Sequence, residues 1–179
     1  MGIIQQPRPA LLFLAAFSRH EQALTWAREK AEVLWGPVAL QSDPYDFNFT
    51  TFYDQSMGTE LRKVFFAFDR LIDSAMLIQL KHAANELEEQ FRSSHRYPEL
   101  RPLNLDPGYV TEAKLVLAST KDRDHRIYLG NGIYAEGTLY FNQRQWRTRP
   151  WTYPDYQTAT CHEFLNRCRD YLRRKLATE

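Results

Sequence analysis

The sequence predicts an α+β fold: a largely antiparallel, or mixed, sheet with three main helices packed mostly on one face. Three observations carry this expectation. A continuous apolar run at 9–17 (PALLFLAAF) has the length of a strand buried on both faces. Three later segments carry apolar residues at spacings of three and four, the signature of amphipathic helices. Between them lie short alternating segments bounded by Gly, Pro, Asn and Asp, which read as strands joined by turns.

The elements follow in order. After the strand at 9–17, Ser18 and Glu21 have capping-box spacing, so a helix is expected with Leu24, Ala27, Ala31 and Leu34 on one face. Gly36-Pro37 ends it. A short strand near Val38–Leu40 leads through Ser42-Asp43-Pro44 into Asp46 to Tyr53, whose alternation predicts another strand. Met57-Gly58-Thr59 reads as a turn and Lys63 to Phe68 as an aromatic strand. Asp73-Ser74 caps a long helix with Leu77, Leu80, Ala84, Leu87 and Phe91 inward. Lys81, Glu88, Glu89 and Arg92 are assigned to its solvated face.

Residues 93–103 form a loop with two prolines. Asp106-Pro107-Gly108-Tyr109 has the composition of a type II turn. Strands near 113–120 and 125–129 follow, and Gly130-Asn131-Gly132 is a tight hairpin connection into 133–141. The Pro- and aromatic-rich segment 147–156 is expected as a packed loop. Residues 157–175 close the chain as a helix burying Cys161, Phe164, Leu165, Cys168, Tyr171 and Leu172. A strand, a helix and antiparallel strands thus occur twice, each with an Asp-Pro step (Asp43, Asp106), which suggests a βαββ duplication.

Residues 1–179 fit a single domain with a substantial core. Hydrophobic residues make up 44% and aromatics 14%, which excludes a disordered chain. A formal net charge of +1 removes any global attraction to nucleic acid or anionic membrane. The two cysteines stand seven residues apart on one helix, about 10 Å along its axis and too far for a disulfide. No run approaches the ~20 apolar residues of a membrane span, and the run after Arg8 is too short for a signal peptide. A cytoplasmic location is the expectation.

Several phrases resemble a known bacterial family: N-x-D-P-G-Y at 104–109, K-L-V-L-A-S-T-K-D at 114–122, H-R-I-Y-L at 125–129, G-I-Y-A-E-G-T-L at 132–139 and W-T-Y-P-D-Y at 151–156. Gly36-Pro37 and F-x-F-T-x-F-Y at 47–53 match too. The family is domain of unknown function 4416, and its activity is unassigned. Members are sometimes labelled GTP-binding, but no Gly-x-x-x-x-Gly-Lys-Ser/Thr phosphate loop occurs here. The family usually carries Glu before Met-Gly; this chain has Ser56, so it either lacks that acid or substitutes Glu60 for it.

Strand parity sorts the candidate site. Leu115, Leu117, Ile127 and Leu129 should face the helices, with Lys114, Thr120, Arg126 and Tyr128 opposite. On the next strand Tyr134, Glu136, Thr138 and Tyr140 form the polar set. Two readings follow. In one, Glu136 pairs with Arg126 or Lys114 across strands as a structural ladder contributing roughly 0.2–1 kcal/mol. In the other, this face is the floor of a cleft for an anionic small molecule such as a nucleotide or sugar phosphate. Lys114, Lys121, Arg126, Tyr128 and Tyr134 would then contact the ligand, and His125, Glu136, Asp106 and Asp155 are the candidate catalytic groups. His82 with Glu86, and Cys161 with His162, make no recognised metal set. No particular cofactor is indicated. Arg144, Trp146, Arg147, Arg149 and Trp151 offer an alternative function, binding of single-stranded RNA or a protein partner.

Overall fold

The computed structural model describes residues 2–94 and 96–178. Its strands are β1 (Ala10–Ser18), β2 (Val38–Gln41), β3 (Tyr45–Asp46), β4 (Arg62–Ile72), β5 (Asn104–Val110), β6 (Lys114–Ser119), β7 (Ile127–Gly130), β8 (Ile133–Asn142) and β9 (Gln145–Thr148). The helices are α1 (Glu21–Trp35), α2 (Asp54–Met57), α3 (Leu77–Ser94) and α4 (Ala159–Thr178), with 3-10 turns at Ser74–Met76 and Pro154–Gln157. The strands form one open sheet in the order β2-β4-β1-β5-β6-β8-β7, with β3 on β4 and β9 on β8, and every pairing is antiparallel.

This order explains where two of the helices lie. β1 is antiparallel to both β4 and β5, so β4 and β5 run parallel with β1 between them. By the same argument β1 and β2 run parallel across β4. The chain therefore makes two split βαβ crossovers, β1-α1-β2 and β4-α3-β5, the ferredoxin-like arrangement. Both crossovers being right-handed puts α1 and α3 on the same face. The βαββ duplication suggested by the sequence rested on Asp-Pro turns at Asp43 and Asp106, and Asp106 lies inside a strand. β6 to β9 then extend the sheet beyond β5, and α4 returns to cover the opposite face.

β1 is the axis of the molecule. Alternate residues Ala10, Leu12, Leu14 and Ala16 pack under α1 and α3 with Val64, Phe66, Phe68, Leu80, Ala84 and Phe91. Leu11, Phe13 and Ala15 pack under α4 with Phe65, Cys161, Phe164, Leu165 and Cys168. Its unbroken apolar run follows from being covered on both sides. Both cysteines are buried free thiols.

Several local expectations change. Ser18 does not cap α1: its hydroxyl donates to the Pro102 carbonyl at 2.6 Å and accepts from the His20 amide. Of the expected strand 46–53 only Asp46 is in a strand, β3 (Tyr45–Asp46). The rest curls back, and Phe47 and Tyr53 pack around Phe17, Met57 and Leu61. Asp106 to Tyr109 is not a turn but the middle of β5. Pro107 is tolerated because β6 pairs with β5 only from Gly108 onward, so its missing N–H is not needed there. Gly108 answers a close approach: a Cβ at this position would stand 2.3 Å from the Val116 carbonyl oxygen. The hairpin at Asn131-Gly132 is as expected, with φ of 51° and 75°. A second two-residue hairpin at Gln143-Arg144, also at positive φ, creates β9, whose last two residues enter the segment 147–156 expected as loop. Among the described residues, no helix is long and apolar enough to cross a membrane.

Candidate functional site

The sheet parts between β5 and β6. β5 stays paired with β1 down to Asn104, and β6 stays paired with β8 up to Ser119, but β5 and β6 meet only over Gly108–Leu117, Tyr109–Val116 and Val110–Leu115. Below Gly108 the two strands diverge, and a cleft of about 720 Å3 opens between residues 104–106 and 117–120. That volume suits a small-molecule ligand.

Because the cleft sits in a split sheet, side chains reach it from both faces. From α3 come Lys81, Asn85 and Glu88, at positions i, i+4 and i+7 and so on one stripe. From the α4 side come Lys63 on β4, Glu136 on β8 and Asp155-Tyr156 in the 3-10 turn before α4. The loop after β3 closes the remaining side with Phe47, Phe49, Phe52 and Tyr53.

Six cations and four carboxylates line the cleft, and each carboxylate has a cation. Lys63 Nζ donates to Asp155 Oδ2 at 2.5 Å; both are buried, and the ammonium is ringed by Phe17, Phe47, Phe65 and Tyr156. Lys81 Nζ donates to the Leu105 carbonyl at 2.9 Å and lies 3.4 Å from Asp106 Oδ1. Glu88 accepts from the Leu105 amide at 2.7 Å and pairs with Arg101 at 3.3 Å. Arg101 in turn bonds Asn104, which donates to Asp106. Arg126 Nε donates to Glu136 Oε2 at 2.8 Å, and its other nitrogens reach Ser119, the Lys121 carbonyl and Tyr153.

Lys121 and Arg123 remain. Among the described residues neither has a carboxylate within 4.0 Å. Lys121 Nζ stands 4.5 Å from the centre of the Phe52 ring. Partial burial, with Arg101 and Arg126 nearby, lowers its pKa from the ordinary lysine value. Burial pushes Glu88 the other way, upward, against the opposing pull of Lys81, the Leu105 amide and Arg101.

Of the residues singled out from sequence, Lys121, Arg126, Asp106, Glu136 and Asp155 line the cleft. His125 stands behind it: its ring stacks on Trp151 at 4.9 Å and Nε2 lies 3.1 Å from Glu136. Lys114 lies at the far end of β6, exposed and opposite Tyr140. Tyr128 and Tyr134 contact each other at the β7–β8 edge, and neither reaches the cleft. Strand parity misplaced this set because both faces of β6 are covered: Leu115 and Leu117 face α4, while Val116 and Ala118 pack on Leu77 and Ile133. Ile127 and Leu129 are exposed at the sheet edge.

The sequence reading missed Lys63, Lys81, Asn85, Glu88, Arg101 and Asn104. The signal for three of them was present, since Lys81, Asn85 and Glu88 form a polar stripe beside the apolar one on α3. Lys81, assigned to a solvated face, is buried. Lys63 sits in an aromatic strand, and nothing local marks it as the partner of Asp155, 92 residues away.

The segment proposed for RNA is largely engaged within the fold. Trp146 is buried against Phe141, Trp151 donates to the Gly137 carbonyl, and Arg149 lies over the Tyr140 ring. Glu60, the substitute acid, is exposed and pairs with Arg19 outside the cleft.

A family model described as "Domain of unknown function (DUF4416)" matches residues 8–171. No curated protein and no solved structure matches the chain.

Proposed function

The chain belongs to the DUF4416 family, a membership that assigns no activity, and from the geometry of its cleft we propose that it binds an anionic small molecule, a nucleotide or sugar phosphate, between β5 and β6. The observation that carries this reading is the charge balance. Four carboxylates are matched one to one by Lys63, Lys81, Arg101 and Arg126, which leaves Lys121 and Arg123 uncompensated at the rim. Lys121 is partly desolvated and held beside Arg101, Arg123 and Arg126, which is costly unless an anion arrives, and a phosphate or carboxylate supplies it. Phe52, 64% exposed beneath Lys121, offers an apolar face to the same ligand. Two buried unpaired thiols also favour a reducing compartment, the cytoplasm.

The test is a thermal-shift panel of phosphate, sugar phosphates and nucleotides, with and without magnesium, on the parent and on Lys121→Ala. A ligand at a hundred times its Kd should raise stability by about 2.7 kcal/mol. The variant, altering an exposed side chain, should keep its unliganded melting temperature and lose the shift. Equal shifts in both proteins would overturn the reading.

A further inference from the structure

We infer that Lys63, Asp155 and Tyr156 form a hydroxyl-reading subsite at the inner end of the cleft, so that the ligand is a phosphorylated sugar rather than a bare oxyanion. This rests on the anion-binding reading above. Tyr156 lines the cleft at 2% exposure, yet its phenol oxygen has no hydrogen-bond partner among the described residues. Buried polar atoms are rarely left so, because each loses its hydration without return. The ion pair beside it is also incompletely used. Among the described residues, Lys63 Nζ makes one side-chain hydrogen bond of the three open to an ammonium, and Asp155 receives it on Oδ2, with no side-chain donor on Oδ1.

The charges decide which group fits. Lys63 and Asp155 cancel, so the inner end is neutral, and an incoming phosphate would meet the Asp155 carboxylate. The group that both accepts from an ammonium or phenol and donates to a carboxylate is a hydroxyl. Burial, with Asp155 and Asp106 nearby, holds the Tyr156 phenol far above its usual pKa, so it keeps its proton and donates. The phosphate belongs instead at the rim, where Lys121 and Arg123 lack carboxylates. A ligand with an anionic end and a hydroxylated end satisfies both regions at once. Free sugar phosphates and nucleotides share this chemistry.

The experiment titrates the parent, Tyr156→Phe and Lys121→Ala with inorganic phosphate, propyl phosphate, ribose 5-phosphate, a nucleoside 5′-monophosphate and free ribose. The parent should bind ribose 5-phosphate or the nucleotide at least about tenfold more tightly than propyl phosphate, equivalent to about 1.4 kcal/mol. Tyr156→Phe should erase that preference and leave inorganic and propyl phosphate unchanged. The tighter of the two sugar-bearing probes identifies the source of the hydroxyls. Equal affinity for propyl and ribose phosphates in the parent overturns the subsite, as does a Tyr156→Phe loss shared by every probe. If ribose alone stabilises the parent but not Tyr156→Phe while no phosphate binds, the subsite stands and the anion reading fails. If phosphate binding is lost in Lys121→Ala yet hydroxyls confer no preference, the anion reading stands and the subsite fails. No response to any probe overturns both.

Discussion

Lys81 and Glu88, two turns apart on α3, hold the carbonyl and the amide of Leu105 respectively, at 2.9 and 2.7 Å. β6 has already left β5 at this level, so the two side chains take the place of a neighbouring strand. This lets the sheet open without orphaning buried backbone groups. Lys81→Met keeps most of the apolar stem but removes the donor to the Leu105 carbonyl. It should cost about 1–3 kcal/mol, read as a lower denaturant midpoint at unchanged m-value. A variant as stable as the parent would mean that the carbonyl has another partner.

Glu88 makes the same junction sensitive to pH. Its pKa is raised in the fold, chiefly by burial, so the folded state favours the protonated acid over what an unfolded chain would carry. Its contribution is therefore fully present below the ordinary glutamate pKa and is lost as pH rises through the raised value. Glu88→Gln keeps an acceptor for the Leu105 amide and does not titrate. The parent's stability relative to Glu88→Gln should fall as pH rises above the ordinary glutamate range and level off once the raised pKa is passed. A difference that stays flat as pH rises would contradict the assignment.

Arg126 holds Glu136, whose side chain is buried and, among the described residues, otherwise reaches only His125 and Thr138. The cross-strand ladder and the cleft, posed from sequence as alternatives, thus share this residue. Arg126→Ala strands a buried carboxylate, and a loss of about 3–5 kcal/mol is expected. It is consequently a poor probe of ligand contact, whereas Lys121→Ala removes no ion pair seen among the described residues. A stable Arg126→Ala protein with intact cooperativity would show that His125 alone compensates Glu136.

The strands and main helices were legible because each element's apolar period matches its own environment. β1 reads as a continuous run since both its faces are covered, and α3 and α4 show clear stripes. The site was only half legible. Its β6–β8 side, with Lys121, Arg126 and Glu136, lies in adjacent hairpins where local sequence predicts proximity. Its other side depends on crossovers that bring Lys63 beside Asp155 and α3 beside Leu105. Helical spacing alone does not say that a polar stripe faces a split sheet instead of water. Asp106 to Tyr109 misled for a related reason: Pro and Gly there serve strand divergence and close packing, not a turn.

Gly108 tests that packing. Ala at this position would drive a Cβ into the Val116 carbonyl and within 2.8 Å of Leu117 Cδ2, at the last pair before the strands part. Backbone cannot swing aside as a side chain can, so Gly108→Ala should cost at least about 1–3 kcal/mol. A Cβ added at Gly137, on β8, would meet nothing within 4 Å, and this glycine has no positive φ. Gly137→Ala should be neutral or stabilise by about 0.4–1 kcal/mol. Thermal denaturation of the two variants side by side checks the contrast, and similar losses in both would refute the close-approach argument.

The anion-binding reading carries its own pH signature through Lys121. An anion needs the ammonium form, and partial burial beside Arg101 and Arg126 makes that form dissociate at lower pH than in an ordinary lysine. Bound anion stabilises the charge, so binding is coupled to proton uptake once pH exceeds the free-protein pKa. Above that point affinity should fall about tenfold per pH unit until the pKa of the bound state is reached. Propyl phosphate is a suitable probe because its own second ionisation is complete above about pH 7.5. Lys121→Arg keeps a positive charge on a group that does not titrate in this range, so its affinity should stay level where the parent's declines. Calorimetric titrations of both proteins across the alkaline range decide the point. Parallel pH profiles would place the bound phosphate on other cations.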